Sequence, residues 1–242
     1  MRLTDFSRRC ARMVLLCAVL AGAQEVTLTA RVAVANSEKK SASPREAENV
    51  VVWLTPAAGA VNPVASHPAQ SLRLVQKNKS FDPHVLVVPV GAVVAFPNRD
   101  PFFHNVFSLF EGKRFDLGLY EAGSTRDVHF DKPGISYIFC NIHPEMSAVV
   151  MALDTPYYGI SDARGQVVIA SVPSGKYTLQ IWYEYALPET LKAMSRDVTV
   201  SESSSTLGML RLAETTMPAG HKNLYGRDYD PPAPDSPAYE RH

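Results

Sequence analysis

Cys140-Asn141-Ile142-His143-Pro144-Glu145-Met146 follows the apolar run Ser136-Tyr137-Ile138-Phe139, and its reading decides the rest of the chain. The spacing is Cys-x2-His-x2-Met. Upstream lies a second imidazole, His104, within Asn98-Arg99-Asp100-Pro101-Phe102-Phe103-His104-Asn105-Val106. One thiolate, two imidazoles and a thioether make the donor set of a mononuclear copper centre, trigonal His2Cys with a weak axial Met. Sulfur suits Cu(I) and imidazole suits Cu(II), so the mixed set holds both states without large rearrangement. Zinc favours four strong ligands, and a thioether is a poor one. Each residue alone has an ordinary reading: Cys140 as a small buried hydrophobe, the histidines as structural, Met146 as core filler. The shared spacing favours a metal site made of His104, Cys140, His143 and Met146, with Glu145 as an alternative ligand. His67 and His84 sit beside prolines, His129 lies in a strand facing solvent, and His221 and His242 lie near the C-terminus; all five read as surface residues.

A short loop brings three ligands together only if it connects rigid elements, and the surrounding chain reads as strands. Residues 26–34 alternate apolar and polar with period two, and residues 50–55 form an apolar run ended by Pro56. Residues 56–70 are rich in Ala, Pro, Gly and Asn and read as a linker. Strands are expected over residues 72–76, 85–88, 92–96, 104–108, 125–130, 136–139 and 148–152, then over 166–169, 176–182, 197–200 and 207–212. Residues 188–194 allow one or two helical turns. About seven close strands around the ligands indicate a β-sandwich or barrel. The class is all-β.

Residues 71–153 resemble a cupredoxin of the plastocyanin, amicyanin and pseudoazurin kind. The loop spacing, Pro144 after the loop histidine, and Asn98, Asp100, His104, Asn105 and Val106 carry the resemblance. It implies a Greek-key sandwich, one type 1 copper ion and one-electron transfer, with Asn105 pinning the Cys140 loop. It also implies electron exchange through the edge of His143, where Phe102, Phe103, Ile142 and Pro144 form an apolar rim for brief docking of a redox protein. Ser136 departs from the pattern, which usually places an aromatic there. Tyr137 and Phe139 have the opposite parity, so the strand is apolar on both faces, and such strands are usually covered on both sides.

The cover is expected from the third block. Asp162-Ala163-Arg164-Gly165 and Pro173-Ser174-Gly175-Lys176-Tyr177-Thr178-Leu179 resemble the carboxypeptidase-regulatory or transthyretin-like sandwich. The combination is similar to bacterial methylamine-utilization-type proteins. The expected organisation is a small sandwich split over residues 24–56 and 157–212, with the cupredoxin of 71–153 inserted and a disordered tail at 213–242. A single enlarged cupredoxin is the alternative, and the partner of residues 26–34 separates the two.

Residues 1–23 read as a signal peptide: four arginines, an eight-residue apolar run from Met13 to Leu20, then Ala21-Gly22-Ala23. The run is shorter than the roughly 20 residues a spanning helix needs, so no membrane insertion is expected after cleavage, and the product is periplasmic or secreted. Cleavage removes four Arg, one Asp and two of the three cysteines, leaving 20 basic and 23 acidic residues and the lone thiol of Cys140. Near-neutral charge gives no basis for nucleic-acid binding. The expected function is an exported copper protein carrying single electrons, not an enzyme, since the four ligands leave no open position and no Ser/His/Asp set is present. A copper chaperone or adaptor without electron traffic is the alternative.

Overall fold

Alternation governs the first strand: Val26, Leu28, Ala30, Val32 and Val34 are buried, while Thr27, Thr29 and Arg31 face solvent. The computed structural model describes residues 24–36, 45–57, 72–109, 112–215 and 221–229. The expected signal peptide, most of the linker, His67 and His242 lie outside the described residues. The strands before the linker are β1 (Glu25–Asn36), β2 (Arg45–Glu46) and β3 (Val51–Pro56). Those after it are β4 (Val75–Lys77), β5 (Ser80–Asp82), β6 (Val85–Pro89), β7 (Ala92–Pro97), β8 (His104–Ser108), β9 (Phe115–Tyr120), β10 (Thr125–Phe130), β11 (Gly134–Cys140) and β12 (Ser147–Leu153). Then come β13 (Tyr158–Ile160), β14 (Gln166–Pro173), β15 (Gly175–Trp182), the helix α1 (Pro188–Met194), β16 (Arg196–Val200) and β17 (Thr206–Glu214). No helix among the described residues is long and apolar enough to cross a membrane.

The fold is all-β. The sheet β6-β12-β11-β8-β9 faces the pair β7-β10, which the β4–β5 hairpin extends through bridges at Arg73–Ala95 and Gln76–Asn98. The order is not sequential: β9 to β10 and β10 to β11 cross between sheets, and β11 returns beside β8. Between the sheets lies an apolar core that includes Leu74, Phe96, Val106, Tyr120, Phe130, Ile138, Cys140 and Met146. β5 and β9 were not expected from the sequence. Phe81-Asp82-Pro83 reads as a turn, and Gly118, at φ +65°, shifts the parity of β9, so that Leu117 is half-buried, Leu119 exposed and Tyr120 buried.

The remaining strands make two further sheets, β14-β1-β17 with β2 on β1, and β13-β3-β15-β16. β1 pairs with β14 antiparallel and with β17 parallel, so residues 26–34 bond to the third block and not to strands around the ligands. Trp53 of β3 and Tyr158 of β13 are cross-strand partners, so the chain leaves this pair of sheets and returns to it at neighbouring positions. The motif residues hold turns. Asp162 Oδ1 accepts the Arg164 and Gln166 amides at 2.9 and 2.8 Å, with Gly165 at φ +66°. The Tyr177 hydroxyl donates to the Pro173 carbonyl at 2.8 Å, four residues back, which accounts for the Pro-x-Gly-x-Tyr spacing.

The outer face of β11 is covered, as its two-sided apolarity requires. Ile135 and Tyr137 pack, with Val85, Val87, Val149, Met151 and Leu153, into the same cluster as Leu28, Val52, Leu54, Leu179 and Ile181. Each such side chain withdrawn from water is worth about 1.5–3 kcal/mol. Trp53, Thr55, Thr178 and Gln180 face Ile135 and Met151 across a cleft of about 530 Å³, so contact between the two halves is incomplete. Ser136 points the other way. It is buried, and its hydroxyl accepts the Lys113 amide at 2.8 Å. A Cβ on Gly112 would lie 2.5 Å from that hydroxyl oxygen, so the 112–113 segment occupies the space a larger residue at 136 would need.

Two expectations are corrected. The region from residue 213 is not a uniformly disordered tail: β17 runs to Glu214, and residues 221–229 lie against the end of β11. His84 is not a bystander. Its Nε2–H donates to Glu184 Oε2 at 2.6 Å and its Nδ1–H to the Ser147 carbonyl at 3.2 Å, joining the two halves beside β12. The bond to Glu184 raises its pKa above 6.5, against the opposing effect of burial. A raised folded pKa contributes stability that is full below about 6.5 and lost as pH rises through the folded value. His84→Ala is therefore expected to cost about 1 kcal/mol at pH 5.5–6 and progressively less at higher pH, in denaturant titrations across that range. A cost that grows with pH contradicts this account.

Candidate metal centre

The ligand residues come from two adjacent strands and one loop. β8 begins at His104 and is buried throughout; β11 ends at Cys140, whose register partner is Val106. The loop of residues 141–146 folds back so that the Cys140 amide donates to the Met146 carbonyl at 3.3 Å and the Met146 amide to the His143 carbonyl at 3.1 Å. That turn brings His143 over Cys140 and buries Met146 in the core beside it.

Three donor atoms converge. Cys140 Sγ lies 3.6 Å from His104 Nδ1 and 3.5 Å from His143 Nδ1, and the two nitrogens are 3.2 Å apart. The circle through them has a radius of about 2.0 Å, within the span of metal–imidazole bonds (about 2.0–2.1 Å). His104, Cys140 and His143 are the metal-type group of His, Cys, Asp and Glu side chains among the described residues. Glu145 is exposed and its carboxylate is outside that group. Met146 is fully buried.

Protonation makes the case for a cation. His104 Nε2–H donates to Asp100 Oδ2 at 2.9 Å, which sets the tautomer and leaves Nδ1 as a bare lone pair facing the centre. Burial lowers the pKa of His104 despite the Asp100 contact, and pushes His143, with repulsion from His104, down to about 4. Both imidazoles are neutral at pH 7. Burial raises the thiol of Cys140, while the amides of Ile142, Asn105 and His143 point at its sulfur and favour the thiolate. The thiol proton and, in one tautomer of His143, an Nδ1–H each serve one edge of the triangle, whereas a cation among the three atoms serves all of them. Lone pairs held this close, walled from water, are satisfied by a positive ion between them. A cuprous or cupric ion suits this donor set, and these three residues would hold it.

Sequence reading placed Asp100 in a motif without a role. The structure makes it the orienting group for His104. Asn98 Oδ1 accepts the Asp100 amide at 3.0 Å, and Asn98 Nδ2 donates to the Phe102 carbonyl at 2.7 Å, closing the turn. Asp100 accepts the Asn78 and Lys79 amides at 2.6 and 3.0 Å from the tip of the β4–β5 hairpin. Burial opposes its charge, yet the Lys79 amide, His104 and the Asn78 amide together hold its carboxyl below the usual range. The signal available was an acid four residues before the histidine. Asn105 holds the loop through its backbone: its carbonyl accepts the Asn141 amide at 2.8 Å, while its side chain donates to Asp116 at 2.7 Å.

Phe102 packs against both imidazoles, with centroids 5.3 Å from His104 and 5.4 Å from His143. Phe103 and Ile142 are exposed, and His143 shows only 7% of its surface among them. His129 is exposed and contacts the Gly91 carbonyl at 3.1 Å.

No family model matches the sequence, and no curated protein matches it. Solved structures do. A purple cupredoxin from Nitrosopumilus maritimus is 22% identical, with 34% of this chain and 99% of that chain aligned and a TM-score of 0.31. A copper-containing nitrite reductase from Thermus scotoductus SA-01 is 24% identical over 39% of this chain and 27% of its own, with a TM-score of 0.34. A variant of amicyanin in its reduced Cu(I) form is 18% identical over 41% of this chain and 98% of its own, with a TM-score of 0.33. These structural neighbours are cupredoxins or copper proteins.

Asp100→Asn preserves shape but replaces a carboxylate by a weaker neutral acceptor. Metal affinity is expected to fall about 10–100-fold in chelator competition. Unchanged affinity would remove Asp100 from the orienting role.

Proposed function

We propose that this chain is an exported type 1 copper protein that carries single electrons between redox partners. The observation that supports this most directly is the buried triangle of His104 Nδ1, His143 Nδ1 and Cys140 Sγ, with edges of 3.2–3.6 Å. On this reading His104, Cys140 and His143 would hold one copper ion with Met146 as a weaker fourth ligand, and the ion would supply a one-electron couple. The protein orients His104 through Asp100, aims three amides at the sulfur, and excludes water with the core around Cys140 and Met146. Because these positions belong to a rigid β framework, little rearrangement accompanies a change of charge.

His143 is the exit for electrons, and the exposed side chains of Phe103 and Ile142 form the surface on which a protein partner docks briefly. The four ligands leave no place for substrate, which argues for a carrier rather than an enzyme. Residues 24–56 and 157–212 make up a second sandwich that houses the copper unit of 71–153, and export to the periplasm or medium follows from the N-terminal sequence.

Copper(II) added to the apoprotein is expected to give strong visible absorption from thiolate charge transfer, bleached by reductant and restored by oxidant. Cys140→Ser should abolish it, and Met146→Leu should keep the colour while shifting the potential. A protein that takes up Cu(I) only and never colours with Cu(II) is instead a chaperone or adaptor.

A further inference from the structure

Residues 221–229 form a small closed loop of their own. The Asn223 side-chain oxygen accepts the Tyr225 and Arg227 amides at 2.9 and 3.0 Å, and the Asn223 amide donates to the Arg227 carbonyl at 2.8 Å. Gly226, at φ +73°, makes the turn, and Lys222 pairs with Asp228. This brings the two ends together, with the rings of His221 and Tyr229 5.2 Å apart and nearly perpendicular.

Both ends meet the residues that carry the thiol. The Tyr229 hydroxyl donates to the Cys140 carbonyl at 2.7 Å, and His221 Nδ1 lies 3.2 Å from that hydroxyl. The His221 ring stacks on Phe139 at 4.1 Å and 24°, with Phe107 edge-on at 6.4 Å. The Leu224 amide donates to Asn141 Oδ1 at 2.8 Å, and the Asn141 amide is itself held by the Asn105 carbonyl. Residues 139, 140 and 141 are thus gripped in succession. A loop that only covered an apolar patch would need the stacking contact alone. Hydrogen bonds to the backbone of the thiol residue and to the side chain of its neighbour fix position.

We propose that residues 221–229 are a strap that positions Cys140 relative to the two imidazoles, with Tyr229 and His221 as its positioning residues. This rests on the copper reading for its electronic consequence, because a thiolate–metal bond depends on where the sulfur is held. Its mechanical part stands without the metal.

The test uses the full chain with Tyr229→Phe, which removes only the hydroxyl, His221→Ala, and His221→Phe, which keeps a ring on Phe139. In the apoprotein, amides of residues 140–143, 145 and 146 are expected to exchange with deuterium about 3–10-fold faster in Tyr229→Phe and His221→Ala. His221→Phe should recover most of the loss in its own variant. In the copper-loaded protein, Tyr229→Phe should move the thiolate absorption band and the reduction potential, with thermal stability nearly unchanged. Exchange rates equal to the parent in both Tyr229→Phe and His221→Ala overturn the strap. Faster exchange with an unshifted band and potential overturns its electronic role. If the parent never colours with copper, the carrier reading fails, and the apoprotein exchange rates still decide whether the strap holds the loop.

Discussion

Two imidazole nitrogens and one sulfur converge on the same point inside the protein, a donor set that suits a soft or borderline cation. The protein holds them there, and much of the structure explains how. His104 is pinned at its far nitrogen by Asp100, and Asp100 is pinned by two amides at a hairpin tip. Cys140 terminates a strand bonded on both sides. His143 follows in a turn closed by its own backbone. Each donor is therefore fixed by contacts outside the triangle, so the convergence does not depend on the ion for its shape. Such a site would take up a metal ion without reorganising, the arrangement that the proposed exchange of single electrons calls for.

The strand that supplies the sulfur is buried from two directions. Inward, Ile138 and Cys140 join the core between the β6-β12-β11-β8-β9 sheet and the β7-β10 pair. Outward, Ile135 and Tyr137 join the core shared with the second pair of sheets, and Phe139 lies under His221. A strand clamped on both faces has little freedom to slide, since a one-residue slip would exchange its two apolar sets. The second pair of sheets and the C-terminal segment thus act on the same element from one side, at successive residues.

Local patterns were legible wherever a residue's role is met by its neighbours in sequence. The alternation of residues 26–34, the turn at Asp162, and the Cys-x2-His-x2-Met loop are of that kind. β9 was missed because its buried parity changes at Gly118 and its pairing is owed to β8, across a register shift between Asn105 and Phe107. The role of Asp100 was missed because its partners, Asn78 and Lys79, are more than twenty residues away. His84 looked like a loop residue because its partner, Glu184, lies a hundred residues later. The C-terminal region looked disordered because proline and charge dominate its composition, while the contacts of residues 221–229 are to residues some eighty positions earlier.

Taken alone, the amino-acid order determined the chemical kind of the donors, the all-β class, and the loop that brings Cys140, His143 and Met146 near one another, because spacing and side-chain type act over a few residues. Only tertiary structure decided how His104 is held beside Cys140 and His143, which of its nitrogens faces inward, and what covers the outer face of the thiol strand. Those outcomes depend on hydrogen bonds and packing between segments far apart in the chain, and no local pattern encodes the distance between such segments.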